Sequence, residues 1–380
     1  MTATMYAYAW DLADEGVAEV IGRLRDAGLD GIALATSYHA GKFIRPHARG
    51  RKVFFTEDGT VYFRPDESRY GRLKPRVNSL VAEFDVMREV ATADPDLRQV
   101  GWTVGLHNTP LGMAYPDVAA RNAFGDPLYN SLCPSQPDAR EYLVALCADI
   151  GANYPVAEIA LEAPGWQASR HGHHHEFELI ALSPRVEAML GMCFCDACLN
   201  AAATDGIDIR SLHAQTRKEL ETFLAEGTEP ASDPLADPDW QAFIDWRSRV
   251  VSGLVAEIRA ELSPGVGLAV IPTVLSPNRE CWVEGSDLGR LAAAADRLEI
   301  PAYQTGVEAI AADVADVRTA TGADARLGFI LRPTYPNLSG AGEVTGAVKA
   351  LRAVGAESIA FYNYGHMRLE SLDWIRTALS

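Results

Sequence analysis

Short apolar runs alternate with amphipathic stretches of helical spacing along nearly the whole chain. MYAYAW (5–10) reads as a strand, and VAEVIGRLRDAGL (17–29) follows with apolar residues at helical intervals and a glycine stop. The couplet then recurs. Strand-like runs lie at 30–39, 98–108, 156–166, 266–273, 297–304, 326–333 and 358–365, and helical patterns at 77–95, 138–155, 239–262, 287–295, 307–322, 343–355 and 371–379. Eight strand–helix units in alternation predict an α/β fold, a (β/α)8 TIM barrel. A doubly wound open sheet shares the rhythm, but the count of eight and the lack of a GxGxxG turn after the first strand favour the barrel. Residues 1–380 are expected to form a single barrel domain, with insertions at about 40–76 and 163–240 that lengthen the loops after strands 2 and 4. Within the first insertion, FFTEDGTVYF reads as a hairpin turning at Asp58-Gly59.

Barrels of this kind carry their sites at the C-terminal ends of the strands. The expected strand ends offer Trp10 and Asp11; Ser37, Tyr38 and His39; His107 and Asn108; Glu162, with Trp166 beyond; Thr273; Tyr303 and Gln304; Arg332 and Tyr335; and Tyr362, Asn363, Tyr364 and His366. Aromatic faces stack on sugar rings, while amides, Arg and His hydrogen-bond hydroxyls, so the set suits a polyol better than a phosphate or a nucleobase. His39, His107, Asn108, Trp166, Tyr303, Arg332, Asn363 and His366 are the candidate binders, against the alternative that several only pack loop bases. Glu162 ends the apolar run IALE, so its carboxyl is expected at the rim of a buried strand, with a raised pKa suited to proton transfer. The alternative is a structural glutamate paired to an arginine.

The loop after strand 4 contains RHGHHHEFE (170–178). His173 and His175 are expected to contact substrate over the mouth. A catalytic metal is the second reading, for which HHH has poor spacing, and a solvated tract is the third.

Charge narrows the partners. The chain carries 34 Lys and Arg against 51 Asp and Glu, a formal net charge of −17, with the acids spread along its length. That disfavours nucleic acid and anionic membrane as partners, and no apolar run has the length of a membrane span. The N-terminus reads as lacking a signal peptide, so a cytoplasmic location is expected. The loop after strand 2 is locally basic (SYHAGKFIRPHARGRK), which would favour an anionic sugar such as a uronic acid. The sequence permits a homo-oligomer.

Half of the six cysteines fall in CFCDACL. Cys193, Cys195 and Cys198 make a C-x-C-x2-C spacing that can wrap one tetrahedral zinc, with Cys133 as the natural fourth ligand. Cys147 and Cys281 are less suited. The plainer reading is four reduced, buried thiols. A four-thiolate site would be structural and would pin the loop after strand 4.

A glutamate closing barrel strand 4, followed by CxCxxC and a helix, resembles the β-galactosidases of glycoside hydrolase family 42 and related glycosidase-like barrels. The resemblance implies Glu162 as acid/base, and Cys133, Cys193, Cys195 and Cys198 as ligands of a structural zinc, with no organic cofactor. It departs at two places. Those enzymes carry Asn-Glu where this chain has Leu161-Glu162, and their strand 7 ends in a glutamate where this chain reads LGFILRPTYP. A two-carboxylate mechanism then needs its second member elsewhere. Asp11 and Glu299 are favoured because strands hold groups more rigidly than loops; Glu176, Glu178, Glu280 and Glu284 are the other candidates. The expectation is a glycosidase acting on a carbohydrate or glycoside. The alternatives are a metal-assisted sugar isomerase or lyase and a non-catalytic carbohydrate-binding barrel.

Overall fold

The computed structural model describes residues 1–171 and 179–380. Among the described residues, eight parallel strands form the barrel: β1 (Thr2–Ala7), β2 (Gly31–Tyr38), β3 (Arg98–Val104), β4 (Glu158–Glu162), β5 (Gly267–Ile271), β6 (Arg297–Ala302), β7 (Leu327–Leu331) and β8 (Ser358–Phe361). β1 pairs with β2 through Thr4↔Gly31 to Ala7↔Leu34 and with β8 through Thr2↔Ser358 to Met5↔Phe361, which closes the sheet. The surrounding helices are α1 (Val17–Asp26), α2 (Val86–Ala93), α3 (Pro137–Asn153), α4 (Pro238–Glu261), α5 (Leu288–Ala294), α6 (Val307–Thr321), α7 (Ala341–Ala353) and α8 (Glu370–Leu379). Each follows its strand as the alternation of apolar runs and helical stripes requires, because a parallel strand needs a crossover that covers its outer face. No single helix among the described residues is long and apolar enough to cross a membrane.

The lower layer of the barrel is ionic. Arg297, the first residue of β6, pairs with Glu158 at 2.7 Å and with Glu299, and Arg98 reaches Glu158 at 3.0 Å. Arg297 also donates to the Ser358 hydroxyl. Glu158 and Arg98 open β4 and β3, so the network sits towards the N-terminal ends of the strands. Glu299 is therefore placed below the mouth, in a layer whose role in such barrels is stability. Tyr6 lies between this layer and the mouth, its ring edge-on to Trp102 at 5.2 Å.

Two local expectations are corrected. β1 ends at Ala7, three residues short of the expected 5–10 run, and Ala9–Glu15 is a helix. Trp10 and Asp11 thus ride on that helix, and the Asp11 carboxylate accepts the Tyr8 N–H at 3.3 Å across its first turn. The hairpin at Asp58-Gly59 does not form. Val53–Phe55 pairs back with Lys42–Ile44, and Thr60–Val61 turns onto β2. Tyr62 and Phe63 are fully buried whereas Phe55 is 70% exposed. Burying two aromatics against the barrel outweighs a turn preference worth far less. The Asp58 carboxylate instead accepts the Ala40 N–H at 2.8 Å.

Candidate active site

A cavity of about 300 Å³ opens at the C-terminal end of the barrel, lined among others by Tyr6, Tyr38, Trp102, Glu162, Tyr303, Arg332 and Tyr362. Glu162 closes β4. Its own carbonyl accepts Gly105 N–H at 2.8 Å and the next carbonyl accepts Leu106 N–H at 2.9 Å, so the chain just past β3 fixes the turn that presents it. Ala163 makes that turn with φ of +54°, a conformation few non-glycine residues adopt. Trp102 points to the same side from β3, and its indole N–H donates to Glu162 Oε2 at 2.6 Å. Burial pushes the Glu162 carboxyl above its ordinary pKa, opposed by that indole and by the charge of Arg332.

Arg332 lies flat over Tyr303, its guanidinium carbon 3.6 Å from the ring centroid, and 5.3 Å from the Tyr362 centroid. Its Nε is buried and meets no acceptor among the described residues. A buried donor without a partner is costly, so the cavity presents a cation ready for an oxygen-bearing guest. Beside it, the Tyr8 hydroxyl bridges those of Tyr38 and Tyr362, both at 2.9 Å.

The other expected residues divide. His39 lines the cavity, and His107 stacks on it at 4.1 Å between centroids. His171, from the loop after β4, stands 5.2 Å from His107 and 5.9 Å from His39, and ring nitrogens of all three come within 4.8 Å of one another. Burial holds His39 and His171 below the usual imidazole pKa, the latter down to about 4. Asn108 is instead a helix cap, accepting Leu111 N–H at 3.0 Å and donating to the Gly59 carbonyl at 3.3 Å. Trp166 is buried away from the cavity beneath the Arg247 guanidinium at 4.4 Å. Asn363 accepts Gly365 N–H at 3.0 Å and is itself buried. His366 stacks on Phe43 at 4.9 Å and lies edge-on to Tyr362 at 6.0 Å, at the flank of the tyrosine network. His173, His175, Glu176 and Glu178 lie outside the described residues.

Neither favoured second carboxylate meets Glu162. Asp11 is fully buried and paired with Arg45 at 3.0 Å; burial raises it to about 6. Glu299 belongs to the lower ionic layer. Glu284 comes nearer. Its carboxylate accepts the Thr273 hydroxyl at 2.9 Å and Val274 N–H at 3.3 Å, and both of those residues line the cavity. Burial, with the charge of Glu162 adding to it, pushes Glu284 up to about 8. Its backbone is held against the loop after β4: Trp166 N–H donates to the Glu284 carbonyl, and a Cβ on Gly165 would sit 2.0 Å from that oxygen. Only glycine permits this approach. Tyr6 and Trp102, which the strand-end rule passed over, are legible in the alternation of the strand interiors.

The basic loop after β2 is largely neutralised by ion pairs. Arg45 holds Asp11 and Asp14, Arg49 holds Glu19, and Arg72 holds Asp117 and Asp138. Arg332 is the arginine that faces the cavity. A larger groove of about 530 Å³ runs beside the loop after β4, with both of its arginines paired, Arg170 with Glu187 and Arg185 with Asp233. The chemistry converges in the smaller cavity.

All six cysteines are free and buried. Cys133 Sγ lies 3.4 Å from Cys198, 3.6 Å from Cys195 and 3.9 Å from Cys193. These separations are far beyond a disulfide bond. A tetrahedron of thiolates with metal–sulfur bonds of about 2.3 Å has sulfurs about 3.8 Å apart, so the four fit one ion. Arg121 N–H points at Cys193 Sγ at 3.4 Å. The cluster ties the segment before α3 to the helices Pro184–Gly191 and Asp196–Thr204, well outside the cavity lining.

Comparison with solved structures places this architecture. The glycoside hydrolase domain of PgaB (BpsB) from Bordetella bronchiseptica superposes with a TM-score of 0.59 at 16% identity, over 100% of this chain and 99% of that one. The catalytic domain of β-amylase from Paenibacillus polymyxa gives 0.60 at 12%, over 100% and 97%. The β-galactosidase from the psychrophilic Marinomonas ef1 gives 0.58 at 11%, over 99% of this chain but 58% of the galactosidase. The fold is similar to that of glycoside hydrolase barrels. At these identities the likeness concerns the fold alone. No family model and no curated protein matches the chain. The cavity of this glycoside-hydrolase-like barrel shares its position with the sites of such barrels in general, at the strand C-termini.

Proposed function

We propose that the protein is a glycosidase that binds a carbohydrate or glycoside in the cavity at the barrel mouth, with Glu162 as the proton donor. One observation carries this reading: a buried carboxyl with a raised pKa at the end of β4, facing a cavity walled by Tyr38, Tyr303, Tyr362 and Trp102. A carboxyl with a raised pKa holds its proton to higher pH and can protonate a leaving-group oxygen. Arg332, with its unpartnered Nε, would receive a ring hydroxyl or a sugar carboxylate, and the aromatic walls would stack on the apolar face of the ring. Glu284, set behind Thr273, supports Thr273 and Val274 at the cavity wall. The similarity of fold to the PgaB glycoside hydrolase domain and β-amylase supports the class of reaction.

We also propose that the four cysteines hold a structural zinc, the metal that four thiolates at these separations accommodate. Six free thiols support a reducing, cytoplasmic setting.

Glu162→Gln tests the function on a panel of chromogenic aryl glycosides. It keeps the shape and the acceptor for Trp102 but removes the acidic proton. A loss of about 10²–10⁴-fold in kcat with an unchanged circular dichroism spectrum is expected. Full turnover by the variant would overturn the assignment.

A further inference from the structure

We propose a second metal site at the barrel mouth, in which His39, His107 and His171 hold one divalent transition-metal ion through three imidazole nitrogens. The three residues come from separate elements. His39 directly follows β2, His107 lies three residues past β3 and bridges to Ser131, and His171 comes from the loop after β4. β2, β3 and β4 are neighbours in the sheet, so the three residues emerge side by side at the mouth, and their ring nitrogens converge within 4.8 Å of one another. Among the described residues no carboxylate belongs to this group.

The donor set selects the ion. Three imidazoles suit zinc, cobalt, nickel or copper and not magnesium or calcium, which take oxygen ligands. Nitrogens on a tetrahedral ion with bonds of about 2.0–2.1 Å sit about 3.4 Å apart, and each lone pair lies in its ring plane, so seating the ion requires His39 and His107, stacked here at 4.1 Å, to turn out of parallel. His39 is oriented for this task. Its Nδ1 lies 2.7 Å from the Ala40 carbonyl, which only accepts, so Nδ1 carries the hydrogen and Nε2 the lone pair. A backbone carbonyl holding the far nitrogen is the arrangement that fixes metal-binding histidines.

Among the described residues three ligands are in reach, and a three-histidine set with its fourth position taken by solvent or a reactant is the arrangement of catalytic sites, not of closed structural ones. The opening faces the substrate cavity, since His39 and His171 line it together with Glu162 and Arg332. The ion would take an oxygen of the guest, a hydroxyl or a carboxylate, in the cavity that Arg332 also lines. This goes beyond the proton-donor role of Glu162 and is separable from it: the ion requires only the three imidazoles, and the acid requires only Glu162.

Cobalt is the probe. The purified full-length protein is dialysed against a mild chelator, and Co²⁺ is titrated in while the visible spectrum and bound metal are followed. Histidine-bound cobalt gives d–d absorption without the near-ultraviolet sulfur-to-metal charge transfer that the cysteine cluster would give, so the two sites are read separately. One equivalent of the nitrogen type is expected. His171→Ala and His39→Ala, both at loop positions outside the barrel strands, should each weaken it by about tenfold or more with an unchanged melting curve, and Glu162→Gln should leave it intact. Absence of the nitrogen-type spectrum in the native protein, or undiminished binding in both histidine variants, overturns the site. Retained cobalt binding with fully active Glu162→Gln would overturn Glu162 as the proton donor and leave the metal site standing.

Discussion

Trp102→Phe probes the proton donor through its hydrogen bond. The indole N–H donates to Glu162 Oε2 at 2.6 Å from a ring that is itself buried. That bond favours the ionised carboxylate, so it lowers a pKa that burial raises. A hydrogen bond to a charged group contributes about 1.5–3 kcal/mol. At about 1.36 kcal/mol per pH unit, its loss should raise the Glu162 pKa by about 1–2 units. An acid acts only while protonated, so activity falls as pH rises through its pKa. The alkaline limb of the kcat/KM profile should therefore move up by that amount in the variant. The smaller ring also leaves space among Tyr6, Tyr8, Tyr38 and Tyr362, which costs on the order of 1–3 kcal/mol of stability without unfolding the barrel. The assay is a pH–rate profile of both proteins on one glycoside, with melting curves as the control. An alkaline limb that stays put or moves down would refute Glu162 as the group whose proton is transferred.

Other consequences follow from the same geometry. Glu284, raised from 4.5 to about 8, binds its proton more tightly when folded, so its contribution is complete below pH 4.5 and is lost as pH rises through 8. Glu284→Gln should flatten the fall of melting temperature across that window; an unchanged slope would show that another group sets it. Glu299→Gln should lower stability by on the order of 1–3 kcal/mol, because it weakens the buried network around Arg297, and leave turnover per folded molecule intact. A dead but fully folded Glu299→Gln protein would return Glu299 to the mechanism. Cys198→Ser should release the cysteine-bound metal, measured by mass spectrometry of the digested protein, and lower the melting temperature, because binding energy at a structural site is folding energy. Equal metal content in variant and native protein would dismiss the four-thiolate site.

The period of the apolar positions was enough to determine the barrel. A run of 4–8 apolar residues followed by a helical stripe is a local property, and its repetition leaves few ways to bury both faces of every strand. The same local reading placed Glu162, because a carboxylate that ends a buried run must emerge at the rim. It placed His39, Tyr303 and Arg332 for the same reason. The close spacing of Cys193, Cys195 and Cys198, with Cys133, likewise survived as a spatial cluster.

What the linear pattern could not decide were distances between elements. Asp11 looked like a strand-end carboxylate, but β1 stopped at Ala7 once its register with β2 was fixed, and a short helix carried Asp11 to Arg45. Glu299 lay on the correct strand at the wrong height, since a strand rises about 3.3 Å per residue and two or three residues separate the floor of a barrel from its mouth. Asn108, Trp166 and Asn363 were polar or aromatic residues at strand ends that the fold used as a cap, a buried platform and a turn. Trp102 and Tyr6 lie within their strands, so a rule that reads only strand ends passed over them, although the alternation turns both inward. The meeting of His39, His107 and His171, and the approach of Glu284 to the Glu162 site, depend on the order and register in which β2, β3, β4 and β5 pair. Local sequence sets which face each side chain takes, but only the closed barrel sets which faces meet.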